Sequence, residues 1–460
     1  MAASASTLAD TPTLAAPPRF RGRLPLLRFL RTLRDSSVAT YGEEAFERPV
    51  IERRVLWKRY LVMNAPRGIE RVLLENAGNY VKSRIARRLV EPGLGKGLLT
   101  SEGETWRWQR RIMAPAFDHR SLMSYAPLMV EAASAVLARW DDLPTGAETD
   151  IATEMMRLTL AIIGRAMFST GGEEVGSLVE DAVGRYQVAV RPGLLDLLDV
   201  PDWVPRPASR DWARIFDRFD AMIGGLMRRP RGAPGEPRDL LSRLLEARDA
   251  ETGRGMTPQE VRDQVVTIFM AGHETTALAL TWTWYLLALH PGVTERFHAE
   301  LDQVLGGRAP GFDDLPRLRY TRMILEESMR LYPPAHTMSR QALEEDTVEG
   351  YRVRKGSMIF IVPWLIHRHR LLWERPEVFD PERFAPEQAA ARPRFAYLPF
   401  GGGPRICIGA GFAMTEALII LAMLGQRYRL RLVDGFPVEP VGLITLRPRR
   451  GLRMTLERRA

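Results

Sequence analysis

The chain has 460 residues and a single cysteine, Cys407. One thiol excludes an intramolecular disulfide framework, and with it zinc and iron–sulfur sites built from several cysteines. It fits a reducing compartment such as the cytoplasm. The opening stretch, MAASASTLADTPTLAAPPRF, has no basic segment followed by an apolar core, so no signal peptide is expected. A clean run of ~20 apolar residues is also missing. The nearest, Thr267 to His290, carries His273 and Glu274 near its middle. Both would be costly in lipid, so a buried helix is expected there and no transmembrane anchor. The formal charge is +9, yet the arginines are spread along the chain with no Lys/Arg tract. That pattern points away from nucleic acid and toward an acidic protein partner. Strand signals are few, and there is no internal repeat and no linker between separable domains.

What is there is helical. Hydrophobic residues make up 45% and charged residues 26%, enough apolar material for a large core. Residues 1–20, rich in Ala, Thr and Pro, are expected to be disordered, and 21–460 to form one domain. Arg23 to Arg31 is short, basic and amphipathic. It reads as a first surface helix, with peripheral membrane contact as the second reading. From Leu122 to Leu245 apolar residues recur at three- and four-residue spacing, as in Ala126 to Trp140 and Ile151 to Phe168. Breaks fall at Arg191 to Pro207 and Pro230 to Pro237. Thr257-Pro258-Gln259-Glu260 is a capping box with proline at the first helical position. It should open a helix of about 32 residues, roughly 48 Å long, closed by His290-Pro291-Gly292. Gly350 to Val353 and Met358 to Val362 read as a small sheet, and Ile444 to Leu446 and Leu452 to Leu456 as terminal hairpins. The fold class expected is mainly α with small β-sheets.

Cys407 stands in a glycine-rich turn, Phe400 to Gly409, ahead of a helical pattern from Ala410 to Leu424. Backbone amides at a helix start favour a thiolate. Two other readings of such a turn are a phosphate loop and a structural thiol. The first lacks its Gly-Lys-Ser/Thr ending. Phe400, Gly403, Arg405, Cys407 and Gly409 match F-x-x-G-x-R-x-C-x-G, and Ala413 extends the match. This segment resembles the haem-binding signature of the cytochrome P450 family. Three further motifs follow the family's order, and the resemblance covers roughly residues 79–459.

The resemblance implies a triangular helical domain holding haem b, with Cys407 as the iron ligand. A thiolate ligand favours O–O cleavage. Phe400 would pack near it, and Arg405 would meet a haem propionate. Ala271-Gly272-His273-Glu274-Thr275-Thr276, a polar cluster inside an apolar helix, is similar to the family's A/G-G-x-D/E-T-T motif. Thr275 would then hydrogen-bond bound oxygen and its water, and Glu274 would feed protons toward them. Gly272 and Ala271 would leave room in a locally opened helix, and His273 would pack. Trp106 and Arg110, one turn apart, match W-x-x-x-R and would donate to a propionate, with Arg111 serving the surface. Arg340 sits where a further propionate arginine is common. Glu327 and Arg330, with Arg383 of Pro381-Glu382-Arg383-Phe384, would form a buried structural network.

By the same resemblance the substrate would be hydrophobic, touched by residues 85–98, 191–207, Phe269, 335–338 and 443–445. Pro115 to Phe117 and Ile366-His367-Arg368 resemble branches acting on fatty acids, terpenoids or carotenoids. No flavin or iron–sulfur segment is visible, so electrons would come from NAD(P)H through a separate ferredoxin- or flavodoxin-type partner. Arg107, Arg111, Arg368 and Arg370 are the candidate docking face. The reading is an O2-using monooxygenase. A haem-thiolate isomerase or peroxygenase, and a haem sensor without catalysis, stand beside it.

Overall fold

The computed structural model describes residues 12–56, 58–169 and 239–459, with isolated positions between 197 and 228. Its helices in chain order are α1 (Leu26–Asp35), α2 (Arg84–Leu94), α3 (Gly103–Met113), α4 (His119–Asp141), α5 (Ile151–Phe168), α6 (Pro258–Leu289), α7 (Pro291–Leu305), α8 (Arg319–Leu331) and α9 (Ala410–Arg427). Helices α2, α4, α5 and α6 start where a side chain can take an orphan amide. Asp118 accepts from Ser121 N–H at 2.7 Å, and Asp150 from Ala152 N–H at 3.1 Å. At α6 the capping box forms as the sequence predicts. Thr257 Oγ1 accepts from Glu260 N–H at 3.2 Å, and Glu260 Oε2 from Thr257 N–H at 2.8 Å.

Helix α6 is the axis of the core. Twenty-two of its 32 residues are buried, which explains why its pattern is apolar almost all round. It packs most extensively on α5 and also against α8 and α9. Trp282 stacks on Tyr332 at 4.2 Å and donates its indole N–H to Leu446 O at 3.0 Å. Among the described residues one helix, α4, is long and apolar enough to cross a membrane, and half of its most apolar window is buried inside the protein.

The main sheet has five strands: β1 (Val50–Val55), β2 (Lys58–Met63), β3 (Tyr80–Lys82), β4 (Met338–Ala342) and β5 (Met358–Ile361), in the order β1-β2-β5-β4-β3. Strand β3 runs antiparallel to β4 with Lys82 opposite Arg340. A hairpin near the C-terminus joins β6 (Pro440–Gly442) to β7 (Leu446–Pro448).

Three expectations change. Tyr351–Val353 does not share a sheet with β5 but pairs with Asp346–Val348. Arg453–Arg458 forms no local hairpin; it lies between Tyr428–Leu432 and Glu148–Asp150. Residues 12–20 are not disordered. The Ala15 N–H donates to Tyr285 Oη at 2.9 Å, the Tyr332 hydroxyl donates to Ala15 O at 2.8 Å, and Arg19 lies over the Phe46 ring at 4.1 Å. Composition favoured disorder, but buried tyrosines supply partners that composition does not show. Residues 1–11 lie outside the described part.

Two buried histidines give the fold an acid limit. Burial pushes His336 down to about 4 and His367 down to about 3. His367 Nε2 accepts the Leu398 N–H at 2.8 Å, a role open only to the neutral ring. Both folded values lie below the ordinary value of about 6.5. The unfolded chain therefore takes up protons first as pH falls, and stability present above about 6.5 is lost toward 3–4. Denaturation midpoints should fall steadily from pH 6.5 to 4.5, by roughly 1.4 kcal/mol per pH unit for each histidine. A flat profile over that range would contradict the burial of both rings.

Candidate active site

The cysteine loop is shaped by backbone requirements. Gly403 has φ +66°, and a Cβ there would meet Leu73 O at 1.8 Å, so only glycine fits. The Cys407 N–H donates to Phe400 O at 2.9 Å and the Ile406 N–H to Gly403 O at 3.1 Å. These bonds turn the loop back on itself, with Phe400 part-buried against the core. Cys407 is exposed by area, yet burial pushes its thiol up, against the lowering effects of the Gly409 N–H and Arg110. Desolvation outweighs the pull of the helix start at this thiol.

The face of α6 carrying the polar cluster is open in the same way. Ala271 is exposed and Gly272 and Thr275 are half-buried at the centre of a helix whose neighbours Ile268, Phe269, His273 and Glu274 are buried. The helix is continuous here rather than locally opened. Thr275 Oγ1 donates to Ala271 O at 2.8 Å and Thr276 Oγ1 to Gly272 O at 3.2 Å, so both hydroxyls bond back one turn. His273 packs as expected, with Nδ1 2.7 Å from Phe269 O. Among the described residues Glu274 makes no hydrogen bond to Thr275. Its Oε1 accepts from Thr445 Oγ1 and from Arg447 Nη2, each at 2.6 Å.

A third wall carries cations. Lys82 and Arg340 face each other across β3 and β4, with Arg405 beside them. Burial, helped by Arg405, pushes Lys82 down to about 7 and Arg340 to about 10. Glu102 is the carboxylate of this group; it pairs with Arg405 and accepts the Lys82 N–H at 2.8 Å. Trp106 lies under the Arg405 guanidinium at 4.3 Å, and Arg110 Nη1 donates to Ile406 O at 2.6 Å. Trp106, Arg110, Arg340 and Arg405 thus gather around the cysteine loop. Lys82 joins them unannounced by any motif, because its place comes from strand register.

Beneath lies the buried network. Arg330 bonds Glu327 at 2.6 Å and 2.7 Å, and Arg383 Nε stands 3.5 Å from the same carboxylate. The Asp380 N–H adds a further bond to Glu327 at 2.9 Å.

The sequence profile described as Cytochrome P450 matches residues 21–450. The chain belongs to the cytochrome P450 family. It is 39% identical to cyclooctatin synthase of Streptomyces melanosporofaciens, over 82% of this chain and 81% of that one. It is 37% identical to cyclooctat-9-en-7-ol 5-monooxygenase of the same organism, over 74% of each. The crystal structure of the cytochrome P450DA heme domain covers 98% of both chains with a TM-score of 0.80 at 26% identity.

The P450 cofactor is haem, and the residues present fit it. An accessible thiol, an exposed alanine at mid-helix and a half-buried cation cluster with a single carboxylate are what a flat dianionic group would need. Cys407 would ligate the iron, and Lys82, Arg340, Arg405, Trp106 and Arg110 would serve the propionates. Bound there, haem supplies oxygen activation, which the protein tunes. Gly272 and Ala271 would leave room for it on the open face of α6.

Other assignments do not hold. Arg368 has 1% side-chain exposure, lies 3.7 Å over the Trp364 ring and pairs with Glu377. Arg370 pairs with Glu43 and Glu47, and Arg111 with Asp249 at 2.7 Å. Arg368 therefore drops out of the expected docking face, while Arg107, paired with Glu104, and Arg111 and Arg370 keep exposed side chains. Phe269, expected at the substrate, is fully buried against Phe168. The stretch 191–207 falls almost wholly outside the described residues.

Proposed function

We propose that this P450, as one domain over residues 21–460, inserts one atom of O2 into a cyclic, terpenoid-like hydrocarbon. The observation that carries the reading is an exposed Cys407 in its glycine-rich loop together with Ala271, Gly272 and Thr275 left open in the middle of the otherwise buried α6. The two Streptomyces relatives, named for cyclooctatin and cyclooctat-9-en-7-ol, support the substrate class. P450 monooxygenases draw electrons from a redox partner. Here we take it to be a separate ferredoxin- or flavodoxin-type chain fed by NAD(P)H, in the cytoplasm, where a lone thiol stays reduced.

In this proposal Thr275 holds water and oxygen by its hydroxyl, which already donates to Ala271 O and keeps its lone pairs free to accept. Glu274 carries protons inward. Purified protein titrated with cyclooctat-9-en-7-ol should show a substrate-dependent Soret shift. With ferredoxin, ferredoxin reductase and NADPH it should form a product heavier by one oxygen. No shift and no product from this and a panel of cyclic hydrocarbons would defeat the substrate class. Glu274→Gln should lower the rate about 10²-fold, the ordinary loss when a general acid is removed.

A further inference from the structure

The site leaves one pair of contacts without a task. Glu274 has 7% side-chain exposure, and its two donors come from the far end of the chain. Thr445 stands in the turn of the β6–β7 hairpin and Arg447 on β7. Both converge on Oε1, and no hydrogen bond to Oε2 is recorded among the described residues. A carboxylate held by one oxygen has a fixed orientation and keeps the other oxygen available to a proton.

The hairpin is itself held from four sides. The Leu446 N–H donates to Pro334 O at 3.0 Å, and Trp282 Nε1 to Leu446 O at 3.0 Å. His336 Nε2 lies 3.0 Å from Leu443 O, and the Gly442 N–H donates to Ser36 Oγ at 3.0 Å. Only the tip residue Ile444, 38% exposed, stands clear. Thr445 and Arg447 thus present their donors from a rigid support, the condition under which a hydrogen bond places a functional group. The salt bridge is partly buried, with Arg447 29% exposed. A guanidinium at 2.6 Å and a hydroxyl at 2.6 Å together balance the charge of a carboxylate that a helix interior would otherwise penalise.

We propose that Thr445 and Arg447 are positioning residues for Glu274: the C-terminal hairpin clamps Oε1 and leaves Oε2 as the oxygen that carries protons toward Thr275. The inference rests on the reading of Glu274 as the proton carrier. Neither residue touches the reacting atoms; both act through the carboxylate.

The test needs no substrate. NADPH, ferredoxin and ferredoxin reductase drive the enzyme's slow oxidase reaction, in which O2 takes two electrons and two protons to hydrogen peroxide, or four of each to water. Thr445→Val removes the hydroxyl at constant volume, and Arg447→Lys keeps the charge but not the fork. Each variant should keep parental haem content and lower NADPH oxidation several-fold, with a larger solvent deuterium isotope effect. On the Glu274→Gln background the same changes should add nothing, because residues acting as a unit are non-additive. In resting protein, the infrared carboxylate band assigned by subtracting the Glu274→Gln spectrum should move in both variants. Equal losses with and without Glu274 would show a merely structural role and overturn the proposal. So would unchanged rates and band, or loss of haem in both variants. If Glu274→Gln itself leaves rate and isotope effect at parental values, the proton-carrier reading fails instead, and the infrared band alone decides whether the clamp exists.

Discussion

Replacing Cys407 with serine is expected to abolish the strongly red-shifted Soret band of the reduced, carbon monoxide-bound protein and to bring oxygen-dependent turnover to background. The reason lies in the balance at the sulfur. Burial pushes the thiol up, while the Gly409 N–H and Arg110 pull it down without prevailing. A thiol that coordinates a metal is deprotonated outright, so iron would override this balance. A serine alcohol is a far weaker acid and cannot supply the electron density that a thiolate does. The substitution is small and Cys407 is exposed, so folding should change by no more than ~1 kcal/mol. Thermal unfolding near the parental value together with a lost band would place the effect at the ligand. A serine variant that kept the band would mean the iron is held elsewhere.

Legibility followed sequence distance. The Cys407 loop, the Glu327–Arg330 pair and the Thr257 cap could be read directly, because each is set by residues within one turn or one loop. Trp106 and Arg110 were legible for the same reason: one helical turn puts them on one face. Most of the failures are long-range. Lys82 meets Arg340 only through the β3–β4 register. Thr445 and Arg447 reach Glu274 across 171 and 173 positions. Arg368 looks like a surface cation until Trp364 and Glu377 are seen to enclose it. Residues 12–20 looked disordered because their partners, Tyr285 and Tyr332, sit on the opposite half of the chain. Periodicity announces which face of a helix is buried; it does not say which distant polar group answers a buried charge.

Glu327→Ala is expected to yield little or no haem-loaded protein. Arg330 is fully buried, and the five N–H donors of its guanidinium are all used. Nε and Nη2 reach Glu327, Nη1 donates to His367 O and Pro376 O at 2.7 Å each, and Nη2 donates again to Val378 O at 3.0 Å. Removing the carboxylate leaves a buried guanidinium without its counter-charge, strips the Asp380 N–H of its acceptor and takes the ion-pair partner from Arg383. Breaking a buried pair from one side costs about 3–5 kcal/mol, a large share of a total stability of about 5–15 kcal/mol. The loss falls on the segment from Pro376 to Arg383, which leads into the Leu398 to Cys407 loop, so haem retention should fail before the helices do. Glu327→Gln keeps one acceptor oxygen and should be intermediate. The ratio of haem to protein after purification, set beside helical circular dichroism, separates the two effects. Normal holoprotein from Glu327→Ala would show that the backbone carbonyls alone can hold Arg330 and would remove the triad from the account of this site.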